Sequence, residues 1–458
     1  MYKRFLFFGF LWIMFHSIHA QQDFQVGKIN DNVPIQNSSE TFSIYLPTKY
    51  DSNKLSAIVF IFDPSGNGNA GVKVFQDAAE QFNYILVCSK ATRNGIPYET
   101  KFASINALSK TIFSTFKIDE NQIYAAGFSG GARLASSVAA LTNKFQAVIA
   151  CGAGMAVNSS YNPQENSFSF LGLVGNQDMN YQEMLNTKAS LDKLKITNEL
   201  LIYEDTHSWP PKEQIQRAFE WLEVQAYEKQ IRPLNQSNID RFYQKQYQLA
   251  DSLLNERKHV QAFHELKHLH AGFDHFINTD SIQQKINRLE SSSEYQQAKS
   301  KELELRTLEK SLSEKFLNRY QREVLMGKSE DNFTWWKKEF KNLNQDITNT
   351  DDEAKTTMYK RLKSLLGGGF YESSAGYNYS KDYQRALYCD QLLVLLNADN
   401  PYVYYRLAMS YARNKDFSNT VKNLKKAKEL NLKDFQKTQN IPEFSEYQNR
   451  RKFLKLYN

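Results

Sequence analysis

Up to about residue 230 the chain alternates short apolar runs with longer amphipathic stretches, and after that point the apolar runs stop. Residues 41–46 alternate apolar and polar side chains, whereas 56–62 are continuously apolar, as in a strand buried on both faces. Further short runs lie at 84–88, 123–126, 146–151, 168–174 and 199–203. Between them, 73–82, 100–116, a small-residue stretch from Gly130, 181–194 and a segment from Pro210 and Pro211 to about Glu228 carry helical spacing. Strands alternating with helices predict an α/β fold built on a doubly wound, mostly parallel sheet. The polar stretch from 21 to about 37 predicts no element.

From about 237 onward Glu, Lys, Gln and Leu dominate, with helical spacing such as Leu305, Leu308, Leu312 and Phe316. Within 370–432, Tyr377 and Tyr411, Asp382 and Asp416, Tyr383 and Phe417, and Leu396 and Leu430 each stand 34 positions apart, with Asn400-Pro401 at a turn. That period resembles tetratricopeptide helix pairs. Residues 240–275 resemble a more degenerate unit whose apolar face is Ala262, Phe263, Leu266 and Leu269. Trp335 and Trp336 are expected in a core. The expected organisation is a signal peptide over 1–20, an α/β domain over 21–232, a helical region over 233–366 and repeats over 367–458, the last two forming an all-α helical repeat part.

The signal peptide rests on Lys3 and Arg4, the apolar run 5–15 and Ala20 before Gln21, and it implies an exported, periplasmic or secreted protein. Its removal lowers the formal charge of +7 by two, too little and too dispersed for a nucleic-acid partner. Mean hydropathy is −0.59 and no apolar run approaches the length of a membrane span. Cys88 and Cys151 fall in apolar strand-like runs and Cys389 in a helical region, which reads as three structural thiols.

The stretch Gly127-Phe128-Ser129-Gly130-Gly131 joins an apolar strand to a small-residue helix, the context of a serine held on a sharp turn. Such a serine needs a base and a group to orient it. Beyond the leader, His207 is the single histidine before residue 259, so it is the candidate base. Asp178, just after the 168–174 strand, stands where the orienting acid belongs, with Glu204 and Asp205 as rivals too near His207 in sequence. An oxyanion would take one N–H from Gly130 and one from the glycine-rich loop after 56–62. Pro64 has none to give, which leaves Ser65.

These residues, together with Thr206-His207-Ser208-Trp209, resemble an α/β-hydrolase, most closely the compact esterases of the dienelactone-hydrolase and feruloyl-esterase type. The resemblance covers about residues 40–230. It implies a serine esterase forming an acyl-enzyme on Ser129, a small or polymer-linked ester substrate, no cofactor and no metal. Such enzymes often carry His-Gly at the oxyanion loop, where this chain has Asp63-Pro64. The helical repeats would dock a protein partner or substrate. A serine peptidase, or a binding protein on a disabled scaffold, fits the same residues. One further motif, His264-Glu265-Leu266-Lys267-His268, has zinc-helix spacing. Its histidines lie opposite the apolar face of their helix, so a solvated surface is expected there.

Overall fold

The computed structural model describes residues 24–156, 163 and 168–457; the expected signal peptide lies outside them. Eight strands form one sheet: β1 (Ile29–Pro34), β2 (Thr41–Tyr45), β3 (Ser56–Phe62), β4 (Tyr84–Ser89), β5 (Ile118–Phe128), β6 (Ala147–Cys151), β7 (Ser169–Gly175) and β8 (Asn198–Tyr203). Their order is β1-β2-β4-β3-β5-β6-β7-β8. β2 runs antiparallel to β1 and β4, and every pairing from β4 through β8 is parallel. The expected α/β class with a mostly parallel sheet, followed by an all-α region, is what the chain adopts.

The crossovers are α1 (Gly68–Phe82), α2 (Tyr98–Thr115), α3 (Gly130–Thr142) and α4 (Tyr181–Lys193), with α5 (Lys212–Glu228) after β8. Successive residues of β3 face opposite sides, so Val59 and Ile61 join the α1 and α5 side while Ile58 and Phe60 join the α2 and α3 side. Two covered faces explain why β3 reads as an unbroken apolar run. Each such side chain contributes roughly 1.5–3 kcal/mol by leaving water.

The strand β1 arose in a stretch read as featureless. Asn30, Asp31 and Asn32 give it no apolar period, and its register shifts between Asn30 and Val33. It is an edge strand held by its ladder with β2 and by the burial of Val33, while its middle residues stay exposed.

The helices that follow are α6 (Gln236–Asn255), α7 (His259–Phe273), α8 (Asp280–Glu290), α9 (Ser293–Met326), α10 (Thr334–Asn349), α11 (Glu353–Tyr379), α12 (Tyr383–Leu396), α13 (Pro401–Arg413), α14 (Phe417–Glu429) and the short α15 (Arg451–Leu454). The last strand ends at Tyr203, and the apolar core runs on across the stretch between α5 and α6. Ile239 and Phe242 of α6, Leu266 and Leu269 of α7 and Ile282 of α8 belong to the cluster that includes Phe82 and Phe219. A second core joins α9 to α13 around Trp336, which is fully buried and donates from Nε1 to Glu323 Oε2 at 2.7 Å. A third joins α13, α14 and α15.

The 34-residue spacing corresponds to one turn made twice. Asp382 and Asp416 cap α12 and α14, their side chains accepting the amides of Arg385 and Asn419. Each caps after a lysine at φ near +61°, and each donates its own N–H to the matching tyrosine carbonyl, Tyr377 or Tyr411.

The surface expected around His264 and His268 is not solvated throughout. α7 packs onto the α/β part: buried Glu265 pairs with Arg217 of α5 at 2.7 Å, and His268 Nδ1 faces Glu199 Oε1 of β8 at 3.1 Å. The apolar-face argument located Phe263 and Leu266 correctly but could not know that a neighbour approaches from the other side.

Candidate functional site

β5 feeds directly into Ser129, whose backbone stands at φ +52° and ψ −119°, followed at once by α3. A non-glycine residue held there carries about 1–3 kcal/mol of strain, a conformation that clusters at functional sites. Its surroundings over-determine it. The Ser129 N–H donates to the Cys151 carbonyl of β6 at 2.8 Å. A Cβ at Gly127 would overlap the Gly131 carbonyl, and one at Gly131 would overlap that of Phe62. Both glycines are therefore steric requirements of the turn. As the first residue of α3, Gly130 has an N–H without a partner inside the helix, at the end where the helix dipole favours negative charge.

The Asp178 loop leaves β7 close against the loop leaving β8. Asn176 N–H donates to Tyr203 O at 2.7 Å and Gln177 N–H to Asp205 O at 2.9 Å. A Cβ at Gly175 would collide with the Asp205 carbonyl, so glycine permits the crossing. Asp178 is 1% exposed and accepts the Asn180 N–H at 2.7 Å, while Asn180 Nδ2 donates to Gly152 O at 2.7 Å.

His207 bridges these parts. Its Nδ1 lies 2.9 Å from both Asp178 carboxylate oxygens, and its Nε2 lies 3.0 Å from Ser129 Oγ. An ionised carboxylate can only accept, so Nδ1 carries the proton and Nε2 is left as an acceptor for the serine hydroxyl. The Phe128 ring lies 4.6 Å from the imidazole and 5.2 Å from Trp209, packing against the histidine. Below the turn, burial pushes the Cys151 thiol up and holds it protonated. Burial likewise raises the Tyr203 phenol, with Cys151 and Asp178 adding to the shift.

Ser129, His207 and Asp178 are thus brought together. Glu204 and Asp205 do not contact the imidazole; Asp205 accepts the Thr206 N–H and the Ser208 hydroxyl. The Ser65 expectation needs correction. Its N–H donates to Asp63 Oδ1 at 2.8 Å, the Asn67 N–H to the same oxygen at 3.0 Å, and the Gly66 N–H to the Asp63 carbonyl at 3.1 Å. The amides of Ser65, Gly66 and Asn67 turn inward onto Asp63 and are not available to an oxyanion. Asp63 Oδ2 also accepts Trp209 Nε1 at 3.3 Å, tying this loop to the His207 loop. An Asp two residues before a free amide is the signature of a side-chain-closed turn, and that signal was present in Asp63-Pro64-Ser65.

A contribution from the distant helices had no such signal. Arg361 of α11 forms a two-pronged pair with Glu309 of α9 at 2.8 and 2.6 Å, and both are buried. Its third arm donates to the Asn176 carbonyl at 2.7 Å, and the guanidinium stacks over Tyr181 at 4.3 Å. These contacts flank Asp178 on both sides in sequence.

Among the described residues, no group of three or more His, Cys, Asp or Glu side chains is arranged to hold a metal ion. No helix of the described residues is long and apolar enough to cross a membrane.

No protein-family model matches the sequence, and no curated protein matches it. Among solved structures, it is similar to the substrate-bound fluorophosphonate-binding serine hydrolase FphF of Staphylococcus aureus, at 12% identity and a TM-score of 0.36, over 43% of this chain and 97% of that one. It is also similar to the S-formylglutathione hydrolase apoenzyme of the same organism, at 13% identity and 0.35, over 43% and 98%. A feruloyl esterase module from Clostridium thermocellum complexed with sinapinate aligns at 13% identity and 0.36, over 42% and 85%. At these values the likenesses carry no argument about activity, and the functional reading stands on the geometry of Ser129, His207 and Asp178.

Proposed function

We propose that this chain is an exported serine hydrolase acting on carboxylic esters through an acyl-enzyme on Ser129. The observation that carries this reading is the unbroken hydrogen-bond chain from Ser129 Oγ through His207 to buried Asp178, with the serine on a strained turn at a helix N-terminus. His207 Nε2 takes the hydroxyl proton as Oγ bonds to the ester carbonyl carbon, and the carbonyl electron pair moves onto oxygen. Collapse of that oxyanion expels the alkoxide, which takes the proton from His207. Water then repeats the sequence to release the acid. Asp178 keeps Nδ1 protonated and stabilises the imidazolium. The helical repeats are assigned a docking role for substrate or a protein partner, and export rests on residues 1–20.

The test is labelling of the purified protein by a fluorophosphonate, with hydrolysis of a p-nitrophenyl ester measured alongside. Labelling and turnover in the wild type, both lost in Ser129→Ala and cut at least about 10³-fold in His207→Ala, support the reading. A folded wild type that neither labels nor turns over ester sinks it.

A further inference from the structure

With the Ser65, Gly66 and Asn67 amides committed to Asp63, none of these three can join the Gly130 N–H in stabilising an oxyanion. A different polar group approaches Gly130. Asn94 lies in the loop between β4 and α2, and its backbone N–H donates to the Pro64 carbonyl at 2.8 Å. This bond draws the loop against the very turn whose amides are unavailable. The Asn94 side chain then reaches the first residue of α3: a Cβ placed on Gly130 would overlap Asn94 Oδ1, with the Cγ at 2.8 Å and Nδ2 at 3.0 Å from it. Glycine at 130 thus leaves room for the approach of this carboxamide. Among the described residues no hydrogen-bond partner engages that carboxamide. Its oxygen and nitrogen exchange places by a half-turn about the terminal torsion, so the NH₂ can face the same space as the Gly130 N–H.

We propose that Asn94 is a catalytic residue, its side-chain NH₂ acting as the second oxyanion donor beside the Gly130 N–H. This rests on the serine-hydrolase reading. When Ser129 Oγ bonds to the carbonyl carbon and the electron pair moves to oxygen, Asn94 Nδ2–H donates to that oxygen without transferring its proton. The bond is strongest at the tetrahedral stage, so it lowers the barrier rather than tightening ground-state binding.

The experiment is steady-state hydrolysis of p-nitrophenyl acetate by wild type, Asn94→Ala and Asn94→Asp. Asp keeps the shape and removes the donor. Removal of one oxyanion donor is expected to lower kcat by about 10²–10³-fold, with KM changed by less than about threefold. Inhibition by a trifluoromethyl ketone, which forms the same oxyanion, should weaken in parallel. Asn94 is exposed, so both variants should melt like wild type, and a merely structural loop contact would be preserved in Asn94→Asp. Equal losses in both variants support the proposal. An Ala or Asp variant within about threefold of wild-type kcat overturns it while leaving the serine-hydrolase reading intact. A wild type with no ester turnover overturns both.

Discussion

Among the described residues, two histidine–carboxylate arrangements invite comparison, and of these two only the one at His207 also faces a serine hydroxyl. Beyond the end of β8, His207 stands between Ser129 and Asp178, the buried acid that follows β7, with one nitrogen committed and the other turned to the hydroxyl. On α7, the motif that looks more explicit in sequence is used as adhesive. Glu265 is held by Arg217, and His268 faces Glu199 across the joint between α7 and the sheet. The difference teaches that spacing along one helix fixes only which side chains share a face. Chemistry depends on what the rest of the chain puts opposite that face.

The sharpest way to break this comparison is Glu265→Ala. It would leave the Arg217 guanidinium buried without its counter-charge, so a loss of about 3–5 kcal/mol in unfolding free energy is expected by urea denaturation. Ester turnover, measured below the new melting point and in the presence of a chelator, should stay at the wild-type level. A variant that keeps its stability and loses turnover would make α7 a second active element and invert the comparison.

A smaller effect is expected at the clasp on the acid loop. Arg361→Met removes the hydrogen bond to Asn176 O and the stacking on Tyr181 and leaves buried Glu309 without its counter-charge. Turnover is therefore read below the variant's melting point, where the segment that aims Asp178 at His207 is loosened. A fall in kcat of about tenfold, equivalent to about 1.4 kcal/mol, with little change in KM, is the expected result. Unchanged kcat in this variant would show that β7 and β8 alone hold the acid in place.

The smallest effect concerns the other nucleophile near the turn. Burial pushes the thiols of Cys88 and Cys151 up, and that of Cys389 up to about 12, so the thiolate form is disfavoured at neutral pH. Ellman's reagent should detect no reactive thiol in the native protein and all three after unfolding in guanidinium. A reactive Cys151 would contest Ser129 as the attacking atom.

What could be read in the sequence followed from constraints that are local or nearly exclusive. Gly127 and Gly131 flank Ser129 because the turn has no room for a Cβ, and His207 was the one histidine available to the serine within the α/β part. Asp178 followed from its place just after a strongly apolar strand. The Ser65 amide is turned inward onto Asp63 Oδ1, a closure that the order Asp63-Pro64-Ser65 signals and that the expectation of an oxyanion donor there passed over. Asn94 and Arg361 were invisible for a different reason. Each acts through a neighbour far away in the chain, and no period or spacing marks such a meeting. β1 went unseen because an edge strand can be held by backbone pairing without an apolar signature.

The apolar core that continues past Arg232 has a consequence for how this gene can vary. Recombination at that point would strip Phe82 and Phe219 of the α6 side chains that cover them and remove the clasp on Asn176. The α/β part and the first helices after it therefore fold around one shared core. The last helices, gathered around a core of their own from Ala408 to Leu456, are where shuffling would cost least.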